Sequence, residues 1–447
     1  MHIFRQIGLA YALLGALGGL ATAQAPVVLL VPGAPPDHHL IALPIIQVDN
    51  GPNSQQARRA HYVVLVSLDG FRWDYAKRVG ASTLLNMTAT GASAPEGMIP
   101  SYPSLTFPNH YTLVTGLYPE HHGLVANHFM DETTHAHYAM TDAAAVTNGS
   151  WYSGVPLWSL AESQGMRTAC LFWPGSEAKI AGFRPSYYLR YDEWSNDKAR
   201  IEQVRSWLQL QEAQRPHLIL FYESHPDHEG HKFGPDARET LAAALRADRL
   251  VGRLKAVLDA SGLPIDLVVL SDHGMVKVDP EWVTLDQFAD LSGFETVGGL
   301  LYGSTEADRE RVYRQLKNAS GKFVVYRRKN VPASLHDDAN ARSGDPIVIA
   351  TGPFAIRAHG REVGRPDHPP TVGMHGFDPH RVAEMKASFF ATGPDIVAGK
   401  TIAPFENVNV YSWIAHLLGL TPPMNDGRLE VLATTLRDGG VEKGKEQ

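Results

Sequence analysis

Asp69, Thr106, Asp227, His231, Asp272, His273 and His375 are spread over three hundred residues, yet each lies in a turn-like segment flanked by Gly or Pro. Most of them follow an apolar run. The local strings are VVLVSLDG at 63–70, SLTFPNHYT at 104–112, PDHEGH at 226–231, LVVLSDHGM at 267–275 and MHGF at 374–377. Carboxylate and imidazole groups in such places suit a metal-assisted hydrolase, and the nitrogen donors favour Zn²⁺ over Mg²⁺. Enough ligands are present for two ions about 4 Å apart, the spacing that stabilises both the attacking and the leaving oxygen of an in-line phosphoryl displacement.

Thr106, at a Pro-marked helix start, is the best local nucleophile. The free N–H groups and positive end of a helix favour a phosphate there, and a metal would supply the activation that a bare hydroxyl lacks. Ser104 and Thr112 are rivals on composition. Asp227 and His231 stand four apart among Pro226, Gly230, Gly234 and Pro235, which oppose a regular helix and suggest a loop. His225 and His228 read as outer residues rather than ligands. Asp272 and His273 are neighbours, so both can serve one ion only if the chain turns at Ser271 or Gly274.

The elements that must hold these residues alternate along the chain. Strands are expected at Tyr62–Leu68, Thr168–Phe172, His217–Tyr222, Leu267–Leu270, Phe323–Tyr326, Ile347–Ala350 and Ser388–Phe390. Helices are expected at Asn109–Thr115, Val155–Gln164, Asp197–Gln214, Ala237–Ala260 and Val408–Leu418. This alternation predicts an α/β fold with a mainly parallel central sheet and helices on both faces. Ligands of such sheets bind beyond the carboxyl ends of the strands, where Asp69, Asp227 and Asp272 fall.

The 447 residues, 44% hydrophobic, allow a sizeable core. A net charge of −7 without a basic stripe gives no indication of binding to nucleic-acid polymers. Residues 1–23 read as a secretory signal peptide, with an apolar run from Ile7 to Leu20 and small residues after it. The expectation is therefore a periplasmic or secreted protein with no stable membrane anchor after cleavage. Cys170 stands alone, which excludes an intramolecular disulfide. Residues 24–59 read as a Pro-rich linker or arm, 60–430 as the catalytic domain and 431–447 as a solvated tail. Oligomeric state is left open.

With these residues in hand, the chain resembles the nucleotide pyrophosphatase/phosphodiesterase family of the alkaline phosphatase superfamily over about residues 60–425. The most specific stretch is SYPSLTFPNHYTLVTGLYPEHHGLVAN at 101–127. The resemblance implies an alkaline-phosphatase-like fold and two zinc ions. Asp227, His231 and His375 would hold one, and Asp69, Asp272, His273 and the Thr106 hydroxyl the other. It further implies a phospho-threonine at Thr106, a phosphate-oxygen contact from Asn127, and stacking of a nucleotide base by Phe107 and Tyr191, with Tyr188 a rival to the latter. The implied substrate is a small nucleotide phosphodiester or pyrophosphate, cleaved to a nucleoside monophosphate. A phosphomonoesterase or a lipid-headgroup phosphodiesterase is the alternative on the same scaffold. His225 departs from the family's frequent acidic residue before the motif's proline.

Overall fold

The computed structural model describes residues 28–29, 41–193, 195–359 and 371–440. The expected signal peptide lies outside the described residues. Among the described residues no helix is long and apolar enough to cross a membrane.

Nine strands form the central sheet: β1 (Ile46–Gln47), β2 (Tyr62–Leu68), β3 (Ala92–Ser93), β4 (Thr168–Leu171), β5 (Tyr187–Leu189), β6 (Leu218–Glu223), β7 (Ile265–Leu270), β8 (Phe389–Thr392) and β9 (Lys400–Thr401). Their spatial order is β9-β3-β8-β7-β2-β6-β4-β5-β1. The central strands β7, β2, β6, β4 and β5 run parallel. Antiparallel pairings join β8 to β7 on one side and β1 to β5 on the other.

The apolar run of β2 is buried at every residue and serves two cores at once. Val63 and Leu65 face one core, with Leu218, Leu220 and Val268. Val64, Val66 and Leu68 face the other, with Ile219, Phe221 and Val269. Side chains of period two explain why these strands are apolar throughout rather than alternating. Helices α1 (Thr106–Thr115), α2 (Leu157–Ser163) and α6 (Asn409–Leu417) cover the first core, while α3 (Asp197–Leu208) and α5 (Arg238–Ala260) cover the second. The short α4 (Asp227–Phe233) lies at the end of β6.

Several expectations are corrected. Phe323–Tyr326 and Ile347–Ala350 are strands, but they pair antiparallel with each other in a separate ribbon, outside the central sheet. That ribbon belongs to an insert between Val276–Lys277 and Gly373–Met374, two short strands that pair with one another. The arm before residue 60 contributes the edge strand β1 and a short helix at Gln55–Arg59 with Ala57 buried. The tail does not begin at 431: Leu432 and Leu436 are buried in the first core, and the Val397 N–H donates to the Thr435 carbonyl.

Candidate active site

Asp69 follows directly on β2, Asp272 stands two residues beyond β7, and Asp227 opens α4 after β6. Gly70 lets these loops approach. Its φ is +65°, and a Cβ there would sit 2.9 Å from the Cβ of Asp227. The Asp227 N–H donates to the Asp69 carbonyl at 3.1 Å, and the Gly70 N–H to Asp272 Oδ1 at 3.2 Å. Backbone and carboxylate thus tie three strand ends together.

Asp227 and His231 lie on a helical turn, not on the loop that Pro226, Gly230 and Gly234 suggested. The reason is positional. Pro226 sits at the N-cap, where a missing N–H costs nothing, and Gly234 ends the helix with φ +95°. Only Gly230 lies inside, covered by Met275. A helix also explains the four-residue spacing, because positions i and i+4 share a face.

The three ligand-type histidines are oriented alike. Nδ1 of His231 lies 2.8 Å from the Gly373 carbonyl, Nδ1 of His273 2.9 Å from that of Gly274, and Nδ1 of His375 2.9 Å from that of Ser104. A carbonyl accepts only, so each Nδ1 carries a proton and each Nε2 faces the cluster, where it can ligate a metal once the ring is neutral. His231 Nε2 is 3.3 Å from Asp227 Oδ2 and 3.1 Å from His375 Nε2, which is 3.6 Å from Asp227 Oδ1. His273 Nε2 is 2.9 Å from Asp272 Oδ2, 3.6 Å from Asp69 Oδ1 and 3.3 Å from Thr106 Oγ1. All seven expected residues therefore converge. They form two adjoining groups, since Asp69, Asp227 and His273 also lie within 4.8 Å of one another.

The donor set fits cations. Among the described residues, Asp69 Oδ1, Asp227 Oδ1 and Asp272 Oδ2 are buried oxygens without a hydrogen-bond donor. The Nε2 atoms of His231 and His375 face each other at 3.1 Å beside Asp227, as two ligands of one ion would. The titration directions carry the same message. Burial, together with the charges of Asp272 and Asp227, raises Asp69 well above the usual carboxylate range. Burial also opposes ionisation of Asp227, but the nearby His231, His375 and His273 outweigh it and hold that carboxyl low. Asp272 is likewise held at about 2 against burial, by His273 and His110. His375 falls to about 3 through burial and the charge of His273. Negative charge is thus in excess around Asp69, as a cation site requires.

Two further residues organise the site. His110, on α1 four residues after Thr106, is fully buried, with Nε2 2.8 Å from Ser67 Oγ and Nδ1 2.9 Å from the Thr106 carbonyl. It also groups with Asp69 and Asp272. Both ring nitrogens already have protein partners, so His110 holds α1 to β2 rather than ligating. Its i+4 spacing from Thr106 was the available signal. Tyr222, at the end of β6, donates to Asp69 Oδ2 at 2.6 Å; nothing in the sequence distinguishes it from the other core aromatics.

A cleft of about 560 Å³ opens beside the cluster, lined by Asp69, Thr106, Asp227, Phe107, Trp173 and Tyr191 among others. Tyr191 is half exposed, and its N–H donates to Glu177 Oε1 at 3.0 Å. Its rival Tyr188 is buried in the first core. The Phe107 N–H donates to Asn127 Oδ1 at 3.0 Å, which fixes the amide and leaves Nδ2 as its donor. Ser104 and Thr112 are fully buried and do not line the cleft: Ser104 Oγ donates to the Phe377 carbonyl, and the Thr112 hydroxyl pairs with His122. His225 Nδ1 pairs with Glu229 at 2.7 Å, and the His228 ring stands edge-on to that of His225 with centroids 6.1 Å apart.

Comparison with known proteins gives a consistent result. A sequence model described as type I phosphodiesterase / nucleotide pyrophosphatase matches residues 63–378. The chain is 33% identical over 415 residues to an uncharacterized pyrophosphatase/phosphodiesterase of Schizosaccharomyces pombe, covering 87% of this chain and 83% of that protein. It is 32% identical over 422 residues to ectonucleotide pyrophosphatase/phosphodiesterase family member 7 of Rattus norvegicus, covering 90% and 92%. It is also 33% identical to a venom phosphodiesterase of Macrovipera lebetinus, over 82% of this chain but only 44% of that longer protein. Among solved structures, murine ectonucleotide pyrophosphatase/phosphodiesterase 5 superposes with a TM-score of 0.78 at 27% identity, covering 84% of this chain and all of that one. An inactive threonine-to-alanine variant of that murine protein has been solved in complex with AMP.

Proposed function

The chain belongs to the type I phosphodiesterase / nucleotide pyrophosphatase family of the alkaline phosphatase superfamily, and on that premise we propose that it is an exported, two-zinc enzyme releasing a nucleoside monophosphate from nucleotide phosphodiesters and pyrophosphates through a phospho-threonine at Thr106. One observation carries this reading: Thr106 Oγ1 stands 3.3 Å from His273 Nε2, at the edge of the acidic cluster and at the mouth of the cleft that holds Phe107 and Tyr191.

Asp227, His231 and His375 are assigned to one ion, and Asp69, Asp272, His273 and Thr106 to the other. When bound, the two ions would supply positive charge at the attacking and leaving oxygens. The chain's own residues do the remaining work. Thr106 Oγ1 gives up its proton and forms a bond to phosphorus as the bond to the leaving oxygen breaks in line, and the leaving oxygen takes up a proton in turn. Water then attacks the same phosphorus and returns the threonine hydroxyl. Asn127, held by the Phe107 N–H, offers Nδ2 to a non-bridging oxygen, where a fixed neutral donor is most useful in the transition state. Phe107 and Tyr191 receive the base between their rings, an interaction that tolerates every base. Export is supported by the venom and ectonucleotidase names of the relatives.

A product assay with zinc present tests the reading on ATP, dinucleotides, cyclic dinucleotides and glycerophosphodiesters. The expected product from nucleotide substrates is the nucleoside monophosphate. A strong preference for p-nitrophenyl phosphate over bis-p-nitrophenyl phosphate would overturn the diesterase reading.

A further inference from the structure

A second hollow meets the catalytic cluster at His375. Its volume is about 210 Å³, and its walls include Leu105, Val125, Ile349, Phe354, Met374 and His375. The two hollows share the site between them. Leu105 lines the smaller one, while the next two residues, Thr106 and Phe107, line the larger. His375 lines the smaller and Asp227 the larger, with His375 Nε2 3.6 Å from Asp227 Oδ1.

In-line displacement sets the direction. The leaving oxygen must lie opposite Thr106 Oγ1, toward the group that does not contain Thr106, namely Asp227, His231 and His375. Of those three, His375 borders the smaller hollow, which gives a substituent on that oxygen a place to enter apart from the nucleotide cleft. The wall there is aliphatic and aromatic, and among the described residues it carries no Lys or Arg. Its carboxylic acid, Asp337, is turned to the Ser343 hydroxyl. Such a lining gains from burying methylene groups and gives no counter-charge to an anion.

We propose that this hollow, walled by Leu105, His375 and the Ile347–Ala350 strand, is a leaving-group subsite for the apolar part of an alcohol. The inference rests on the phosphodiesterase reading above and narrows it: the favoured substrates are diesters whose leaving alcohol bears a short aliphatic or ring substituent, in preference to those that expel a polyphosphate.

The test compares methyl and butyl esters of AMP, whose leaving alcohols differ little in acidity, using the zinc-loaded full chain. Burial of the added methylenes should raise kcat/KM roughly ten-fold or more from methyl to butyl. Ala350→Trp, on the partly buried face of the strand that walls the hollow, should erase that gain so that the two esters react alike, with an unchanged thermal unfolding profile showing that the variant is folded. Val348→Phe on the same face repeats the test in a second background. Equal rates for the two esters in the unaltered protein overturn the inference, as does a gain that survives in a folded variant. Failure to hydrolyse either ester overturns the phosphodiesterase reading itself and the inference with it.

Discussion

Asp337 offers a measurement of what a buried carboxyl costs inside the insert. Its carboxyl is buried, and Oδ1 accepts the Ser343 hydroxyl. Burial raises its pKa from 3.8 to about 7, and the nearby Glu120 adds to the rise while Ser343 opposes it. A carboxyl whose folded pKa is raised binds its proton more tightly in the folded state. Its contribution is therefore fully present below pH 3.8 and is lost as pH rises through about 7. The interval between those two values, at 1.36 kcal/mol per pH unit, corresponds to about 4 kcal/mol. Asp337→Asn keeps an acceptor for Ser343 and removes the ionisation. The variant should match the unaltered protein near pH 4 and exceed it by up to about 4 kcal/mol at pH 8. Urea unfolding of both proteins at the two pH values, in the same metal buffer, measures the difference directly. A variant advantage that does not grow between pH 4 and 8 would refute the argument.

The other expectations concern the site. Thr106→Ala should lose about 10³-fold or more of turnover while retaining two zinc ions by elemental analysis; full activity would end the covalent mechanism. Tyr222→Phe removes the hydroxyl that orients Asp69 at 2.6 Å, and kcat or zinc affinity should fall about 10- to 100-fold, as for other groups that orient metal ligands. Phe107→Ala and Tyr191→Ala should each raise KM for nucleotide substrates about ten-fold, from stacking worth ~1–3 kcal/mol per base, and leave bis-p-nitrophenyl phosphate turnover nearly unchanged. Removal of metal by a chelator should abolish activity, with zinc restoring it; unchanged activity in the metal-free protein would refute the ligand assignment.

What the sequence disclosed, and what it hid, follows from range. Runs such as LILFY and LVVL announce strands buried on both faces because each residue must face one of two cores, and the metal-type residues come at the ends of those runs. The helix carrying Asp227 and His231 stayed hidden because Pro226 and Gly234 are helix breakers inside an element and ordinary residues at its ends. Tyr222 was invisible for a different reason. Its part depends on Asp69, far away in the chain and brought near only by the pairing of β6 with β2. The ribbon of Phe323–Tyr326 and Ile347–Ala350 looked like sheet, since a short apolar run does not say which partner it will choose.

The pairing of Val276–Lys277 with Gly373–Met374 makes the insert a cassette. Both ends of the segment leave the body through one antiparallel bridge, so the cut ends lie about one strand spacing, roughly 4.8 Å, apart. The segment also has an interior of its own, around Val283, Leu301, Val312, Leu316 and Phe323. A hairpin turn could rejoin such ends without stretching the body. Shortening, lengthening or exchange of this cassette would redraw the wall beside His375 while Asp69, Thr106, Asp227 and Asp272 stay anchored on the sheet. Leaving-group preference can thus diverge by recombination at two neighbouring points, independently of the machinery that performs the displacement.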